Sequence, residues 1–197
     1  MNDYREIEIK LYVPDLEAVR ARLESSGATL KAPRIYERNV RYDDAAHEIA
    51  RKGVVLRLRQ DTRTRLTYKS DGKILDNGLF SRFEAEVEVS DFDTMDTILR
   101  ELGYETAFIY EKYRTTYDLG GAEVVLDEMP FGHFVEIEGE EASIIRARER
   151  LALGDATRYD AGYAALFDAV RRNLGLSFRD LTFDNFEGID VPEAAFK

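Results

Sequence analysis

The sequence predicts an α+β protein built on a closed antiparallel β-barrel, with charged side chains inside and helices covering the outside. Seven short segments alternate charged and apolar residues, which is the pattern of β-strands with one polar and one apolar face. Whole strands carry two or three charges, often of one sign, whereas a solvated face usually mixes charges with Thr, Ser and Gln. Closing such a sheet with its apolar face outward places the charged faces around one cavity.

The first strand shows the pattern most clearly, because Glu6, Glu8 and Lys10 share one face and the aliphatic residues between them share the other. The pair Gly120-Gly121 predicts a hairpin turn between two of the later strands. The seven predicted strands cover residues 6–11, 55–59, 65–69, 82–89, 111–114, 124–127 and 134–138.

Four segments between the strands repeat apolar residues with the period of a helix and end near a glycine. Pro14 suits the first turn of the first helix, and Ser90 or Asp91 suits the N-cap of the second. The predicted helices cover residues 14–27, 90–103, about 141–154 and about 161–175.

The length of 197 residues and the 44% hydrophobic content fit one domain, which we place at residues 1–175, with residues 176–197 as a strap packed on it. No segment approaches the roughly 20 apolar residues of a membrane span, and the first residues do not resemble a secretory signal. We therefore expect a cytoplasmic protein without membrane contact. The net charge of −11 argues against nucleic acid as a partner.

The composition excludes several kinds of chemistry. Because the chain has no cysteine, it forms no disulfide, thiolate zinc site, iron–sulfur cluster or cysteine nucleophile. His47 in a polar connector and His133 on the apolar side of a strand are not expected to act as ligands or bases. The usual glycine-rich loops that bind phosphate at a helix N-terminus are also missing from the sequence.

The charged faces contain eight cations and eight anions, and two interpretations of them remain open. The charges could pair with each other across the sheet. Alternatively, carboxylates that suit hard cations such as Mg²⁺ or Mn²⁺ and Arg or Lys rows that suit phosphate could together bind a metal-bound polyphosphate. The cations are Lys10, Arg57, Arg59, Arg65, Lys69, Arg82, Lys112 and Arg114, and the anions are Glu6, Glu8, Glu84, Glu86, Glu88, Asp127, Glu136 and Glu138.

An ordered set of motifs over roughly residues 4–175 resembles the CYTH superfamily of triphosphate tunnel metalloenzymes. This superfamily includes class IV adenylate cyclases, thiamine triphosphatases and inorganic triphosphatases. The matching motifs are Glu6-x-Glu8-x-Lys10, Leu56-Arg57-Leu58-Arg59, Lys69, Arg82-x-Glu84-x-Glu86, Lys112-x-Arg114, Leu126-Asp127 and the run from Gly132 to Glu138.

The resemblance implies an eight-stranded antiparallel tunnel that binds a small-molecule triphosphate with Mg²⁺ or Mn²⁺. It implies catalytic roles for Lys10, Glu6 and Glu8, with Lys10 a candidate for positioning or activating water. The implied metal ligands are Glu6, Glu8, Asp127, Glu136 and Glu138. The implied phosphate-binding residues are Arg57, Arg59, Lys69, Arg82, Lys112 and Arg114, of which Arg82 could equally be a structural ion-pair partner.

The shared motifs leave the reaction open, because attack by water and attack by the ribose 3′-hydroxyl of ATP use the same cations and carboxylates. We favour hydrolysis of a triphosphate. The alternatives are a class IV adenylate cyclase that forms cyclic AMP and pyrophosphate, and a non-catalytic sensor of polyphosphate or nucleotide. The organic group on the triphosphate, the choice of metal and the formation of a homodimer also remain open.

Overall fold

The computed structural model describes residues 4–197 and confirms the α+β architecture. The strands are β1 (Arg5–Tyr12), β2 (Thr29–Asp44), β3 (Val55–Gln60), β4 (Thr64–Ile74), β5 (Phe80–Val89), β6 (Tyr104–Leu119), β7 (Ala122–Met129) and β8 (Gly132–Glu138). The helices are α1 (Leu16–Ser25), α2 (Glu48–Arg51), α3 (Phe92–Glu101), α4 (Glu141–Arg150) and α5 (Tyr163–Leu174). Within this described part, no helix is long and apolar enough to cross a membrane.

The eight strands form a closed barrel in the order β1-β5-β4-β3-β2-β6-β7-β8, and every neighbouring pair is antiparallel. In this order β1 and β2 are four positions apart in a ring of eight strands, so they lie on opposite walls. Residues paired across antiparallel strands share a face. The register Lys10↔Glu136 and Arg41↔Arg57 therefore places charged residues of neighbouring strands on the same inner face.

Much of the outward face of the barrel is apolar, and helices cover parts of it. Leu23 of α1 and Ile144 of α4 pack with Ile137 of β8 in one fully buried cluster. On another side, Leu99 of α3 packs with Leu58 of β3. These three helices thus bury their apolar residues against the sheet, as their sequence period predicts.

α5 and the residues after it form a second, aromatic cluster that bounds the cavity. Tyr163 and Phe167 of α5 pack with Phe134 of β8 and with Phe186 and Phe196 of the C-terminal segment. This segment contains two short 3-10 helices, at Asp184–Phe186 and Glu193–Phe196, and Leu181 pairs with Tyr110 of β6. The division of the chain into a domain of residues 1–175 and a strap of residues 176–197 stays a prediction.

The closed barrel and four of the helices were predicted, whereas β2 was not. β2 contains Pro33, which a central strand disfavours, and register shifts interrupt its pairing with β6 at three places. It also carries charges on both faces, since Arg38 and Arg41 point to opposite sides of the sheet. These features hide the period-two pattern on which strand prediction depends.

Candidate active site in the barrel lumen

The barrel encloses a cavity of about 590 Å³ lined mostly by charged side chains. Its size is that of a small-molecule site. All predicted site residues except Asp127 line it, which places residues from six strands around one space. These lining residues are Glu6, Glu8, Lys10, Arg57, Arg59, Lys69, Arg82, Lys112, Arg114, Glu136 and Glu138.

Three of the predicted metal ligands form an acidic cluster. One carboxylate oxygen from each of Glu6, Glu8 and Glu138 lies within 4.8 Å of the other two. The pairing of β1 with β8 brings these side chains together, because Glu8 lies opposite Glu138 and Glu6 lies two residues before Glu8 on the same face. Burial and the nearby charges of Glu8, Glu136 and Glu6 raise the pKa of Glu138 to about 8. An all-oxygen site of this kind suits a hard divalent cation such as Mg²⁺ or Mn²⁺.

Glu6 is also held by two of the predicted phosphate-binding cations. Its oxygens accept hydrogen bonds from Lys69 Nζ at 2.9 Å and from Arg82 Nε at 2.6 Å. Burial acts to raise the pKa of Glu6, but the charges of Lys69 and Arg82 outweigh it and lower the pKa to about 2. Glu6 is therefore ionised at neutral pH.

Lys10 lies beside Glu136, the fourth predicted metal ligand. Its Nζ is 3.0 Å from Glu136 Oε1 and 4.6 Å from the centre of the Tyr163 ring. Burial acts to lower the pKa of Lys10, but the charges of Glu136 and Glu8 outweigh it and raise the pKa above its ordinary value. Lys10 is thus a cation at neutral pH and has no free electron pair, so it acts as a hydrogen-bond donor and not as a base.

Asp127 occupies a different place from the other predicted metal ligands. It is fully buried, and its carboxylate accepts hydrogen bonds from Lys112 Nζ at 2.9 Å, Arg114 Nη2 at 2.6 Å and Tyr163 Oη at 2.8 Å. The metal-binding role of Asp127 stays a prediction. Its geometry favours another task, which is to hold Lys112 and Arg114 toward the cavity.

The two arginines of β3 are held by groups that the sequence analysis did not single out for this role. Arg57 donates to Tyr110 Oη at 3.1 Å, and Arg59 lies 3.5 Å from Glu37 of β2. Burial acts to raise the pKa of Glu37, but Lys112 and the neighbouring arginines outweigh it and lower the pKa to about 2. Glu37, Asn39 and Arg41 alternate along this wall, but the charged Arg38 between them interrupts the apolar face, so the signal for it in the sequence is weak.

The interpretation that the charges pair with each other is also supported. Most cations of the cavity have a carboxylate within 4.0 Å, as in the pairs of Lys69 with Glu84 at 2.8 Å and Arg59 with Glu86 at 3.0 Å. In the acidic cluster, Glu6 pairs with Lys69 and Arg82, and Glu8 pairs with Arg82. Among residues 4–197, Glu138 has no cation within 4.0 Å, so the lumen combines an ion-pair network with one unpaired carboxyl group beside two paired carboxylates.

Comparisons with known proteins identify relatives of this arrangement. The family model of the CYTH domain matches residues 4–151. A search of the curated proteins finds no significant match.

Solved structures share the fold. PH1819 from Pyrococcus horikoshii OT3 is 26% identical, with a TM-score of 0.62, and the match covers 80% of this chain and 95% of that one. A protein from Vibrio parahaemolyticus that is described as a proposed adenylate cyclase is 22% identical, with a TM-score of 0.67 and coverage of 82% and 97%. HpAC1 from Hippeastrum, described as having a dominant triphosphatase activity, is 22% identical, with a TM-score of 0.62 and coverage of 83% and 95%.

Proposed function

This chain belongs to the CYTH domain family, and we propose that it hydrolyses a triphosphate substrate in the barrel lumen with the help of Mg²⁺ or Mn²⁺. The observation that carries the proposal is the presence of two complementary sites in one cavity. Cations that suit phosphate oxygens line it together with a cluster of three carboxylates that suits a hard metal ion.

Each set of side chains has a task in this proposal. Arg57, Arg59, Lys112 and Arg114 bind and orient the phosphate oxygens, and their fixed charges oppose the negative charge that develops in phosphoryl transfer. Their ion pairs with acids of the wall hold them in place before the substrate binds. Protonated Lys10 donates a hydrogen bond to a phosphate oxygen or to the attacking water.

The metal has a defined place in the same scheme. Glu6, Glu8 and Glu138 would hold it, and Glu136 lies on the same face beside them. When bound, a divalent cation neutralises charge on the phosphate oxygens and orients the group that is transferred. Ionised Glu6 supports this role, since its pKa is lowered to about 2.

We favour hydrolysis over cyclase activity because, among residues 4–197, only two aromatic residues line the cavity and neither is free to stack on adenine. The aromatic residues that line it are Tyr110 and Tyr163, and both are engaged elsewhere. The hydroxyl of Tyr110 accepts a hydrogen bond from Arg57, and the ring of Tyr163 lies over Lys10. The remaining lining is mostly charged, which suits inorganic triphosphate or the triphosphate part of a larger molecule.

The test is phosphorus NMR of the protein with inorganic triphosphate and, separately, ATP, each with Mg²⁺ or Mn²⁺. We expect orthophosphate release by the wild type and a loss of at least about 100-fold in rate for Glu6→Gln, which removes one carboxylate of the acidic cluster. Glu17→Gln, on the exposed surface of α1, is the matched control and should retain the wild-type rate. Cyclic AMP and pyrophosphate from ATP would establish the cyclase, and binding without turnover would establish the sensor.

A further inference from the structure

Arg41 lines the cavity but lies outside the motifs described above. It belongs to β2 and pairs with Arg57 of β3, so the two guanidinium groups share the inner face. Because β2 lies opposite β1 in the ring, Arg41 projects from the wall that faces Glu6, Glu8 and Lys10. A ligand between these walls could contact both.

Arg41 differs from the other cations of the cavity in its partners. Among residues 4–197, every lysine and arginine that lines the cavity has a carboxylate oxygen within 4.0 Å, except Arg41 and Lys31. Lys31 is exposed to water, whereas Arg41 is half-buried. The Arg41 side chain donates a long hydrogen bond of 3.4 Å from Nη2 to the carbonyl oxygen of Val54.

The surroundings of Arg41 increase this imbalance. Burial and the positive charges of Arg57 and Arg82 outweigh the opposite effects of Tyr110 and Asp43 and lower the pKa of Arg41 from its ordinary value. Asn39, two residues earlier on the same face, is fully buried, and within residues 4–197 neither polar atom of its side chain has a hydrogen-bond partner. Such groups normally find partners, because a buried charge or amide without one is costly.

We propose that Arg41 is an anion-binding residue that contacts phosphoryl oxygens of the triphosphate from the wall opposite the acidic cluster. This inference rests on the proposed function and deepens it by adding a substrate-binding residue from β2. A phosphoryl group supplies the close negative charge that no carboxylate of residues 4–197 provides within 4.0 Å of Arg41, and the guanidinium fork matches two of its oxygens. The triphosphate then spans the lumen between the metal-binding wall and Arg41.

A purely structural role for Arg41 makes the opposite prediction about stability. If Arg41 served mainly to hold the barrel together, its removal would lower the melting temperature of the ligand-free protein. A cation reserved for a ligand instead destabilises the free protein, so Arg41→Gln should melt at the same temperature as the wild type or higher. Stability and affinity are thus expected to change in opposite directions.

The test compares wild type, Arg41→Gln, Arg41→Lys and Arg38→Gln. Arg38 is the matched control, since it lies on the outer face of the same strand, near the ring of Phe92. The dissociation constant for inorganic triphosphate is measured by calorimetry in EDTA, and KM by orthophosphate release in Mg²⁺. We expect Arg41→Gln to raise both by about 10- to 100-fold, Arg41→Lys by less, and Arg38→Gln by less than about twofold.

Unchanged binding and unchanged KM in a folded Arg41→Gln protein would overturn the inference and leave the proposed function standing. A weaker affinity that is matched by a lower melting temperature would also overturn it, because the role would then be structural. A wild type that neither binds nor hydrolyses triphosphate would refute the proposed function and this inference together.

Discussion

Two substitutions of the same kind in the same cavity should change stability in opposite directions. Glu138→Gln should stabilise the metal-free protein at pH 7, whereas Glu37→Gln should destabilise it. Each replaces one carboxylate with a neutral amide of similar shape. The difference arises from their neighbours, because Glu138 meets other carboxylates and Glu37 lies among Lys112 and arginines.

The expected changes in the free energy of unfolding follow from the folded pKa values and from the ordinary pKa of a glutamate, which is 4.5. For Glu138 the folded pKa is about 8, so the folded protein keeps a proton that the unfolded chain has lost. Its contribution to stability is therefore greatest below pH 4.5 and is lost as the pH rises from 4.5 to 8. At pH 7 this loss lowers the free energy of unfolding by about 3 kcal/mol, which Glu138→Gln should restore.

For Glu37 the sign is reversed. Its folded pKa is about 2, so the ionised carboxylate stabilises the folded protein above pH 4.5, and this contribution is lost as the pH falls toward 2. At pH 7 it amounts to about 3 kcal/mol, which Glu37→Gln should remove.

The assay is urea unfolding at pH 7 in EDTA, followed by circular dichroism, for the wild type and both variants. Repeating it with Mn²⁺ should stabilise the wild type more than Glu138→Gln, because the metal replaces the proton in the acidic cluster. Two variants that shift the unfolding free energy in the same direction would refute the reasoning, since the charge environment would then not decide the sign. Equal stabilisation of the wild type and Glu138→Gln by Mn²⁺ would refute the assignment of Glu138 to the metal site.

Two further substitutions and one control test the walls of the cavity and its outer cover, all by urea unfolding. Tyr163→Phe keeps the ring over Lys10 but removes the hydrogen bond to Asp127, so we expect a loss of about 1 to 3 kcal/mol, and an unchanged stability would contradict the contact. Leu58→Ala removes a fully buried side chain beneath α3 and should cost about 2 to 5 kcal/mol, whereas Leu102→Ala, at a position that is 69% exposed, should cost less than about 0.5 kcal/mol. A similar cost for both leucines would show that α3 does not bury Leu58.

Much of the barrel could be predicted because its strands obey a simple rule. In β1 the alternation of Glu6, Glu8 and Lys10 with aliphatic residues identifies both the strand and its inner face. The same rule brings Glu138 beside Glu8 once β1 and β8 pair. The acidic cluster therefore follows from the alternation within β1, the alternation within β8 and the pairing of these two strands.

The features that could not be predicted depend on contacts between distant parts of the chain. Tyr163 begins a helix, and nothing in its local sequence indicates that its hydroxyl binds Asp127, 36 residues earlier. The burial of Asp127 beneath Lys112 and Arg114 likewise follows from packing and not from its motif. Arg41 was hidden because β2 lacks regular alternation.

The ring closure limits how this protein can change in length during evolution. Because the eight described strands close into a ring, a one-residue insertion within β1 cannot be absorbed by sliding a neighbour, and it would turn Lys10 toward the apolar side chains beneath α1 and α4. Insertions and deletions are thus confined to the connections, such as the tight turn at Gly120 and Gly121. Related proteins can therefore differ in the connections at the two ends of the barrel, while the spacing of the charged residues inside it stays constant.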